Sequence, residues 1–348
     1  MKASQSGAVL SLIDSSETDV KSKIAKWTVI AFLVFAVSSL AYAERKIRIA
    51  TISAHGSPWH KAMLRFAEVM QKESNGQIKV QVFTDGQLGD IPQMYSSMQL
   101  GTLEMGYFGL GAITQLKGAE SLNVLYTPYL FKSAESAERI VNTEEFRKLY
   151  DEIASKTGIR VVGAYGQRSA RSIQTSKGPI NKPEDLKRIR MRVPPTEMLK
   201  ATFKELGVQV TPMGMLDIYT ALSRGTVQGQ DNGFDLSMPL KFHEVAKYWS
   251  ATDHAYELTG WIMSEKLWRS LSDVERRALV KAAQAGGEVT TIETKKLDAE
   301  SIEAIKKAGG TYTVPDRDAF RAALRDVHKP YEGKLWPAGM VERIRKMN

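Results

Sequence analysis

Arginine recurs at every second position in a short segment, where Arg188, Arg190 and Arg192 are separated by single apolar residues. In a β-strand this spacing puts the three guanidinium groups on one face. The segment ends at Pro194-Pro195, and ligand crevices lie beyond the carboxyl ends of parallel strands. An arginine there can bind a carboxylate through two parallel hydrogen bonds, which a lysine cannot reproduce. Arg192 is therefore predicted to bind a carboxylate, whereas Arg188 and Arg190 are predicted to face water.

Two more polar residues follow strand-like segments and could share that crevice. Arg168 comes after the strand predicted at residues 159–162, and Asn232, whose amide both donates and accepts, ends the sequence Gly-Gln-Asp-Asn. Plainer interpretations remain open for all three candidates. Arg192 fits a half-buried edge strand, Arg168 fits a surface salt bridge, and Asn232 fits a loop asparagine bonded to its own backbone.

Five further residues are candidates for lining the crevice. His55 lies in a loop before a predicted helix, whose free N–H groups could bind an anion, and Trp59 flanks that loop. Tyr107 and Phe108 end a predicted strand, and Met215 precedes a predicted helix. Aromatic and methionine side chains at such positions also serve as ordinary packing residues, so both interpretations stay open.

The sequence lacks the short motifs of common catalytic and nucleotide-binding sites. It contains no HExxH, no GxSxG and no P-loop, and Gly109-Leu110-Gly111 lacks the third glycine of a dinucleotide-binding turn. The one close histidine pair, His55 and His60, straddles the start of a predicted helix and does not suit a shared metal. Cysteine is absent, which excludes disulfides and thiol nucleophiles. We therefore expect no enzyme, no cofactor and no metal.

Residues 1–43 have the order of a secretory signal peptide. Lysines precede an apolar run at residues 27–40, and Ala41-Tyr42-Ala43 supplies an A-x-A cleavage site. The run is shorter than a membrane span, which needs about 20 apolar residues, so it favours a cleaved signal peptide over the alternative of an uncleaved anchor. Acidic residues near the beginning are unusual in a signal peptide, so Val20 is the predicted translation start. Cleavage near Glu44 would release the mature chain into the periplasm.

The formal net charge of the chain is +9. A basic excess can indicate nucleic-acid binding, but the positive residues form no runs with interleaved aromatics, and export argues against that partner. We interpret the excess as steering of anionic small molecules towards the protein.

The elements that must position these residues follow an α/β pattern. Strands predicted at residues 46–52, 78–83 and 105–108 alternate with helices, and a second series of the same kind starts at residue 159. This alternation predicts βαβ units on largely parallel sheets.

From Ser272 onwards the pattern is purely helical. Ser272 and Glu275 form a capping box, and helical periodicity continues to about Ala308. The segment is either one helix of roughly 50 Å or a helix bent at Gly286-Gly287. A helix of that length would brace two lobes against each other.

Several short motifs occur in a characteristic order and spacing. They are residues 85–89 (DGQLG), 166–168 (GQR), 183–194 (PEDLKRIRMRVP), 206–213 (LGVQVTPM), 217–222 (DIYTAL) and 227–232 (VQGQDN). With these motifs the mature chain resembles the extracytoplasmic solute receptors of TRAP transporters, the DctP-like family, over essentially its whole length.

The resemblance implies a two-lobe periplasmic-binding-protein fold that closes around an organic acid. Each lobe would be a mixed, mostly parallel sheet flanked by helices, with a long helix spanning both. Arg192 matches the arginine that holds the substrate carboxylate in a two-point salt bridge, Arg168 a second ligand-contacting arginine, and Asn232 a corner asparagine. Gln228 and Gly233 depart from the family pattern on either side of that corner.

Lobe I is expected to comprise residues 44–165 and about 255–297, and lobe II residues 166–254 and about 298–348. The expected partners are a small carboxylate ligand and the small and large membrane subunits of a TRAP permease, with the receptor a monomer. A secreted enzyme acting on an organic acid and a receptor feeding a sensor kinase are the alternatives. C4-dicarboxylates, 2-oxo acids, sugar acids and aromatic acids all fit the predicted site.

Overall fold

The computed structural model describes residues 45–348, so the predicted signal peptide and its cleavage site lie outside the described residues. Within this range the chain forms two α/β lobes, each built on one mixed β-sheet. No helix in the described part of the chain combines the length and the hydropathy of a membrane span.

The sheet of lobe I has five strands. They are β1 (Arg45–Ala50), β2 (Ile78–Phe83), β3 (Met105–Gly109), β4 (Ile159–Gly163) and β10 (Thr259–Ser264). Their order across the sheet is β2-β1-β3-β10-β4. The β1 strand pairs in parallel with β2 and β3, whereas β10 runs antiparallel to both of its neighbours.

Helices cover both faces of this sheet. They are α1 (Pro58–Glu73), α2 (Ile91–Leu100), α3 (Ala134–Val141), α4 (Glu144–Thr157) and α9 (Glu265–Ser270), with short 3-10 helices at Leu110–Gln115 and Glu120–Tyr126. As predicted, α1 begins at Pro58, because Ser57 caps it by accepting a hydrogen bond from the His60 backbone N–H. Its apolar stripe, which includes Trp59 and Phe66, is buried in the lobe I core.

The sheet of lobe II has six strands. They are β5 (Arg171–Thr175), β6 (Arg190–Val193), β7 (Gln209–Pro212), β8 (Gly229–Asn232), β9 (Tyr248–Ala255) and β11 (Thr311–Thr313). Their order is β11-β9-β5-β8-β6-β7, so β6 lies between β8 and β7 and runs parallel to both. Its helices are α5 (Glu197–Glu205), α6 (Ile218–Ser223), α7 (Phe234–Ser237), α8 (Phe242–Val245) and α11 (Arg317–Leu324), with 3-10 helices at Pro183–Leu186 and Lys329–Tyr331.

Both sheets are mixed. All antiparallel pairs involve β5 or β10, the strands that follow the two segments crossing between the lobes. These segments are residues 164–170, which join β4 to β5, and residues 256–258, which join β9 to β10. The prediction of purely helical structure after Ser272 is wrong at β11, a three-residue edge strand beside β9 that is too short to give a periodic signal.

A third connection between the lobes is α10 (Asp273–Lys307), one continuous helix of 35 residues, which at 1.5 Å per residue spans about 52 Å. It begins with the predicted capping box of Ser272 and Glu275. It packs along α1 in lobe I and reaches β11 and α7 in lobe II. Gly286 and Gly287 leave it unbroken. They allow close packing instead, since a Cβ atom on Gly287 would lie 2.7 Å from the backbone carbon of Tyr165.

The chain ends on lobe I. Helix α12 (Met340–Met347) packs against α3, where Arg139 Nη2 donates a hydrogen bond of 2.7 Å to the Met347 carbonyl oxygen. The Asn348 side chain donates to the Leu130 carbonyl oxygen at 2.8 Å. The range predicted for lobe II, by contrast, includes α12. The sequence of a helix such as α12 does not indicate against which lobe the helix packs.

Candidate functional site

A small cavity of about 30 Å³ lies between the lobes, next to the carboxyl end of β6. Five of the predicted side chains line it: Trp59, Arg168, Arg192, Met215 and Asn232. Four charged or phenolic side chains that were not predicted line it as well: Asp90, Tyr126, Arg171 and Glu257.

Arg192 is the one cavity arginine without a carboxylate partner among residues 45–348. Its side chain is 2% exposed, its Nε donates a 2.9 Å hydrogen bond to the Met213 carbonyl oxygen, and its buried Nη1 has no partner. Burial lowers the pKa of Arg192 to about 10, against the attraction of Asp231. A buried, unpaired cation is costly, and an anion that supplies the missing hydrogen bonds removes that cost. The site is therefore built to receive a negative charge at Arg192.

Arg168 lies in the crossing segment 164–170 and is already neutralised. Its Nε donates to Asp235 Oδ2 at 2.7 Å, and its Nη1 donates to Glu257 Oε2 in the other crossing segment. Its guanidinium carbon lies 4.9 Å from the centre of the Trp59 ring, a cation–π arrangement. Because both acids hold Arg168 in place, it can contribute further N–H groups to a ligand but little uncompensated charge.

Arg171, at the start of β5, is paired in the same way. Its Nε donates to Asp231 Oδ2 at 2.8 Å, and its Nη1 donates to Glu257 Oε2 at 3.1 Å. Burial alone would raise the pKa of Asp231, but Arg171 and His254 hold that pKa at about 2. Glu257 thus bridges two arginines, and three buried carboxylates accompany the three arginines of the site.

Asn232, at the end of β8, is held by its neighbours in lobe II. Its Nδ2 donates to Gln230 Oε1 at 2.9 Å, and the Gln230 amide in turn donates to Gln174 and Ser237. Gly233, one of the departures from the family pattern, permits close packing, since a Cβ atom there would lie 2.6 Å from the Ser169 carbonyl oxygen. The corner is fixed by packing and by buried amides.

Several polar contacts join the two lobes around the cavity. Trp59 Nε1 in lobe I donates to Asp235 Oδ2 in lobe II at 3.1 Å. Asp90, the N-cap of α2, accepts from the Met215 backbone N–H at 3.1 Å. Tyr126 donates to Glu257 Oε1 at 3.0 Å. Gly109 at the end of β3 makes room for this group, since a Cβ atom there would lie 2.4 Å from Glu257 Oε1.

Three predicted residues do not reach the cavity, which corrects their placement on the crevice wall. Tyr107 and Phe108 are fully buried in the core of lobe I, where the Tyr107 hydroxyl is bonded to Thr259 and Thr290 at 2.6 Å each. Both belong to the central strand β3, which is covered on both faces. His55 is exposed and lines a different, open pocket beside Met238 and Lys296. Its ring lies 4.2 Å from that of His60.

The paired acids and Arg171 were missed by sequence reasoning. Arg171 follows Arg168 by three residues, and Glu257 is an acid in a three-residue segment between two strands, so both have a local signal. Neither signal reveals that these residues meet. The ion pairs join residues separated by 86 and 89 positions, and only the fold brings them together.

Two lobes, two crossing segments, a spanning helix and a buried cationic site between the lobes define a bilobal solute receptor. The chain belongs to the DctP family, family 7 of bacterial extracellular solute-binding proteins, whose model matches residues 49–334. It is a TRAP-type solute-binding protein, as the resemblance predicts.

Relatives of known name agree with this assignment. The sialic acid-binding periplasmic protein of Vibrio cholerae is 27% identical over 88% of this chain and 94% of its own length. The 2,3-diketo-L-gulonate-binding periplasmic protein of Escherichia coli is 30% identical over 83% of this chain and 87% of its own. The C4-dicarboxylate-binding periplasmic protein of Rhodobacter capsulatus is 26% identical over 85% and 89%.

Solved structures share the fold over nearly the whole described chain. A TRAP periplasmic solute-binding protein from Roseobacter denitrificans with bound L-galactonate superposes with a TM-score of 0.80 at 27% identity, covering 86% of this chain and 98% of that one. A second, from Ochrobacterium anthropi with bound L-fuconate, gives a TM-score of 0.81 at 26% identity, covering 88% and 99%.

Proposed function

We propose that this protein captures a small organic acid between its lobes and that Arg192 binds the ligand carboxylate. The observation that carries the proposal is the buried, unpaired Arg192 guanidinium on the cavity wall. A carboxylate has the planar geometry to accept two parallel hydrogen bonds from such a group. Arg168, Asn232, Trp59 and Met215 would contact the rest of the ligand, because they line the same cavity.

The relatives support an acid as ligand. Their names and bound molecules include sialic acid, diketogulonate, C4-dicarboxylate, galactonate and fuconate, all of which are carboxylic acids. Each of these compounds carries a carboxylate, while the rest of the molecule differs. A site in which one group binds the carboxylate and the other lining residues vary would fit all of them.

We further propose that the mature protein is a periplasmic monomer that delivers its ligand to the small and large membrane subunits of a TRAP permease. Cleavage of the predicted signal peptide would precede this step. The lobes would close on the ligand by bending at residues 164–170 and 256–258, the two short crossing segments, while α10 keeps them connected. No chemical conversion of the ligand is part of the proposal.

The test begins with a thermal-shift screen of the purified mature protein against a library of organic acids, because a ligand that binds only the folded state raises the melting temperature. Any acid that binds is then titrated by calorimetry into wild-type protein and the Arg192→Ala variant. Leaving a buried charge unpaired costs roughly 3–5 kcal/mol, so affinity should fall by a hundredfold or more.

Arg190→Ala is the matched control, since Arg190 lies on the same strand but is exposed. It should bind the acid like the wild type. Near-normal affinity of Arg192→Ala would refute the assignment of Arg192. Recovery of a chemically altered ligand after incubation would refute the receptor function in favour of an enzyme. Uptake by cells that carry the permease genes should require this protein; ligand-dependent signalling without uptake would point to a sensor partner instead.

A further inference from the structure

Two of the arginines around the cavity are already paired with carboxylates before any ligand arrives. Arg168 pairs with Asp235 and Glu257, and Arg171 pairs with Asp231 and Glu257. The side chains of these residues are at most 4% exposed, so water does not screen the pairs. Two of the three arginines therefore have their charge compensated inside the protein.

Arg192 is the only cavity arginine left with charge to offer among the described residues. Its guanidinium has one protein partner, a neutral carbonyl oxygen, and a buried N–H-bearing nitrogen with none. Arg192 therefore has one positive charge without a direct carboxylate partner in the described part of the chain, and it can pair with one ligand carboxylate. A second carboxylate on the same ligand would enter a dry site without a cation to meet it, which is strongly unfavourable.

The rest of the cavity wall would also repel a second negative charge. Glu257 and Asp90 both line the cavity, and they approach it from different elements, a crossing segment and the start of α2. Like charges brought together in a dry interface cost several kcal/mol. The same oxygen atoms are hydrogen-bond acceptors, and a ligand hydroxyl is a donor that carries no charge.

We propose that the cavity selects a hydroxylated monocarboxylate and rejects dicarboxylates. This inference rests on the proposed function, and it deepens it by naming the class of acid. The carboxylate would pair with Arg192, while hydroxyl groups would donate to Glu257 and Asp90. Arg168 and Arg171 act as positioning residues, since they hold Glu257 in place and their own charges are already paired with carboxylates.

Matched pairs of sugar acids test the proposal with the wild-type protein. D-galactonate and galactarate, like D-gluconate and D-glucarate, share a six-carbon chain and differ in whether the last carbon is a hydroxymethyl group or a second carboxylate. Calorimetric titration should give an aldonate affinity at least about thirtyfold higher than that of the corresponding aldarate. The preference should persist in high salt, because the charges that impose it are buried.

An aldarate that binds as tightly as its aldonate overturns the inference. So does binding confined to acids without hydroxyl groups, or to none of the panel. If Arg192→Ala abolishes the binding of whichever acid is taken, the proposed function stands while the inference falls. If Arg192→Ala leaves that binding unchanged, the proposed function falls on its own test.

A charge-changing variant provides a second measurement. Glu257→Gln keeps the shape of the side chain and removes one negative charge from the cavity wall, and Asp235 and Asp231 still balance Arg168 and Arg171. The variant should therefore improve aldarate affinity at least about tenfold over wild type. Glu265→Gln is the matched control. Glu265 also bridges two arginines, Arg160 and Arg269, and it does so outside the cavity, so this variant should leave both affinities unchanged. Equal aldarate affinity in Glu257→Gln and wild type contradicts the proposal.

Discussion

Asn123 of lobe I caps a helix that belongs to lobe II. Its Oδ1 accepts a hydrogen bond of 3.2 Å from the backbone N–H of Met198, in the first turn of α5, while its Nδ2 is bonded to the Glu120 carbonyl oxygen in its own lobe. The residue at the N-cap position of α5, Thr196, makes no capping bond with its side chain. The first turn of α5 is thus completed by the opposite lobe.

We expect Asn123→Ala to weaken ligand binding by about fivefold, because one hydrogen bond of about 1 kcal/mol that forms on closure is lost. The loss should appear as faster dissociation in stopped-flow measurements, with little change in the association rate. Asn181→Ala, at an exposed position of lobe II, is the control. Unchanged dissociation in Asn123→Ala would mean that this contact does not form on closure.

Replacing Arg192 with methionine should let the lobes close without a ligand. Closure in the wild type removes water from the Arg192 guanidinium, and that cost opposes the closed state until an anion arrives. Each 1.4 kcal/mol removed changes the ratio of open to closed molecules about tenfold. Small-angle X-ray scattering of ligand-free protein should give a smaller radius of gyration for Arg192→Met than for the exposed-site control Arg190→Met. Equal radii would contradict the prediction.

Ligand binding should take up protons near pH 10 but not at pH 7.5. Burial lowers the pKa of Arg192 to about 10 in the free protein, and a bound carboxylate favours the charged form and raises that pKa again. At pH 10 about half of the free molecules must therefore gain a proton to bind, and affinity falls as the pH rises further. Titrations in buffers of different ionisation enthalpy measure this uptake. A binding enthalpy independent of buffer at pH 10 would refute the linkage.

Asp298 on α10 should make stability depend on pH near neutrality. Burial raises the pKa of Asp298 to about 7, despite the 2.5 Å hydrogen bond from Ser169 Oγ in the crossing segment. In the unfolded chain an aspartate has a pKa of about 3.9. Between these two pKa values the folded form therefore binds more protons than the unfolded form. The contribution of Asp298 to the free energy of unfolding is fully present below about pH 4 and is lost as the pH rises through 7.

Asp298→Asn should remove this loss, since the amide is neutral at every pH. Its melting temperature relative to wild type should rise by about 2–4 °C between pH 5 and pH 8. Glu300→Gln, two residues further along and exposed, should show no such trend. A constant difference between Asp298→Asn and wild type across this range would contradict the assignment.

Local patterns were sufficient to predict much of this architecture. The caps of α1 and α10 are one-turn signals, and they give the start of each helix correctly. The alternation places Arg190 and Arg192 on one face of β6. The two differ in exposure because Arg192 lies nearer the carboxyl end of the strand, where the parallel arrangement places the crevice.

Long-range pairing could not be predicted in the same way. Whether an arginine is free or neutralised depends on acids far away in the chain, and Glu257 reaches Arg168 and Arg171 only after both crossing segments have formed. Tyr107 is likewise a core residue because β3 is the central strand of its sheet and is covered on both faces. The sequence of the strand alone does not show this.

The exclusion of water from Arg192 also suggests how the ligand is released. An ion pair shielded between closed lobes resists dissociation, whereas the same pair in water contributes about 1 kcal/mol or less. A membrane partner that separates the lobes by the width of a few water molecules would therefore lower the affinity of the receptor for its ligand. It would do so without contacting either the arginine or the acid. Hydration of a single guanidinium group would thus convert a receptor that retains its ligand into one that releases it.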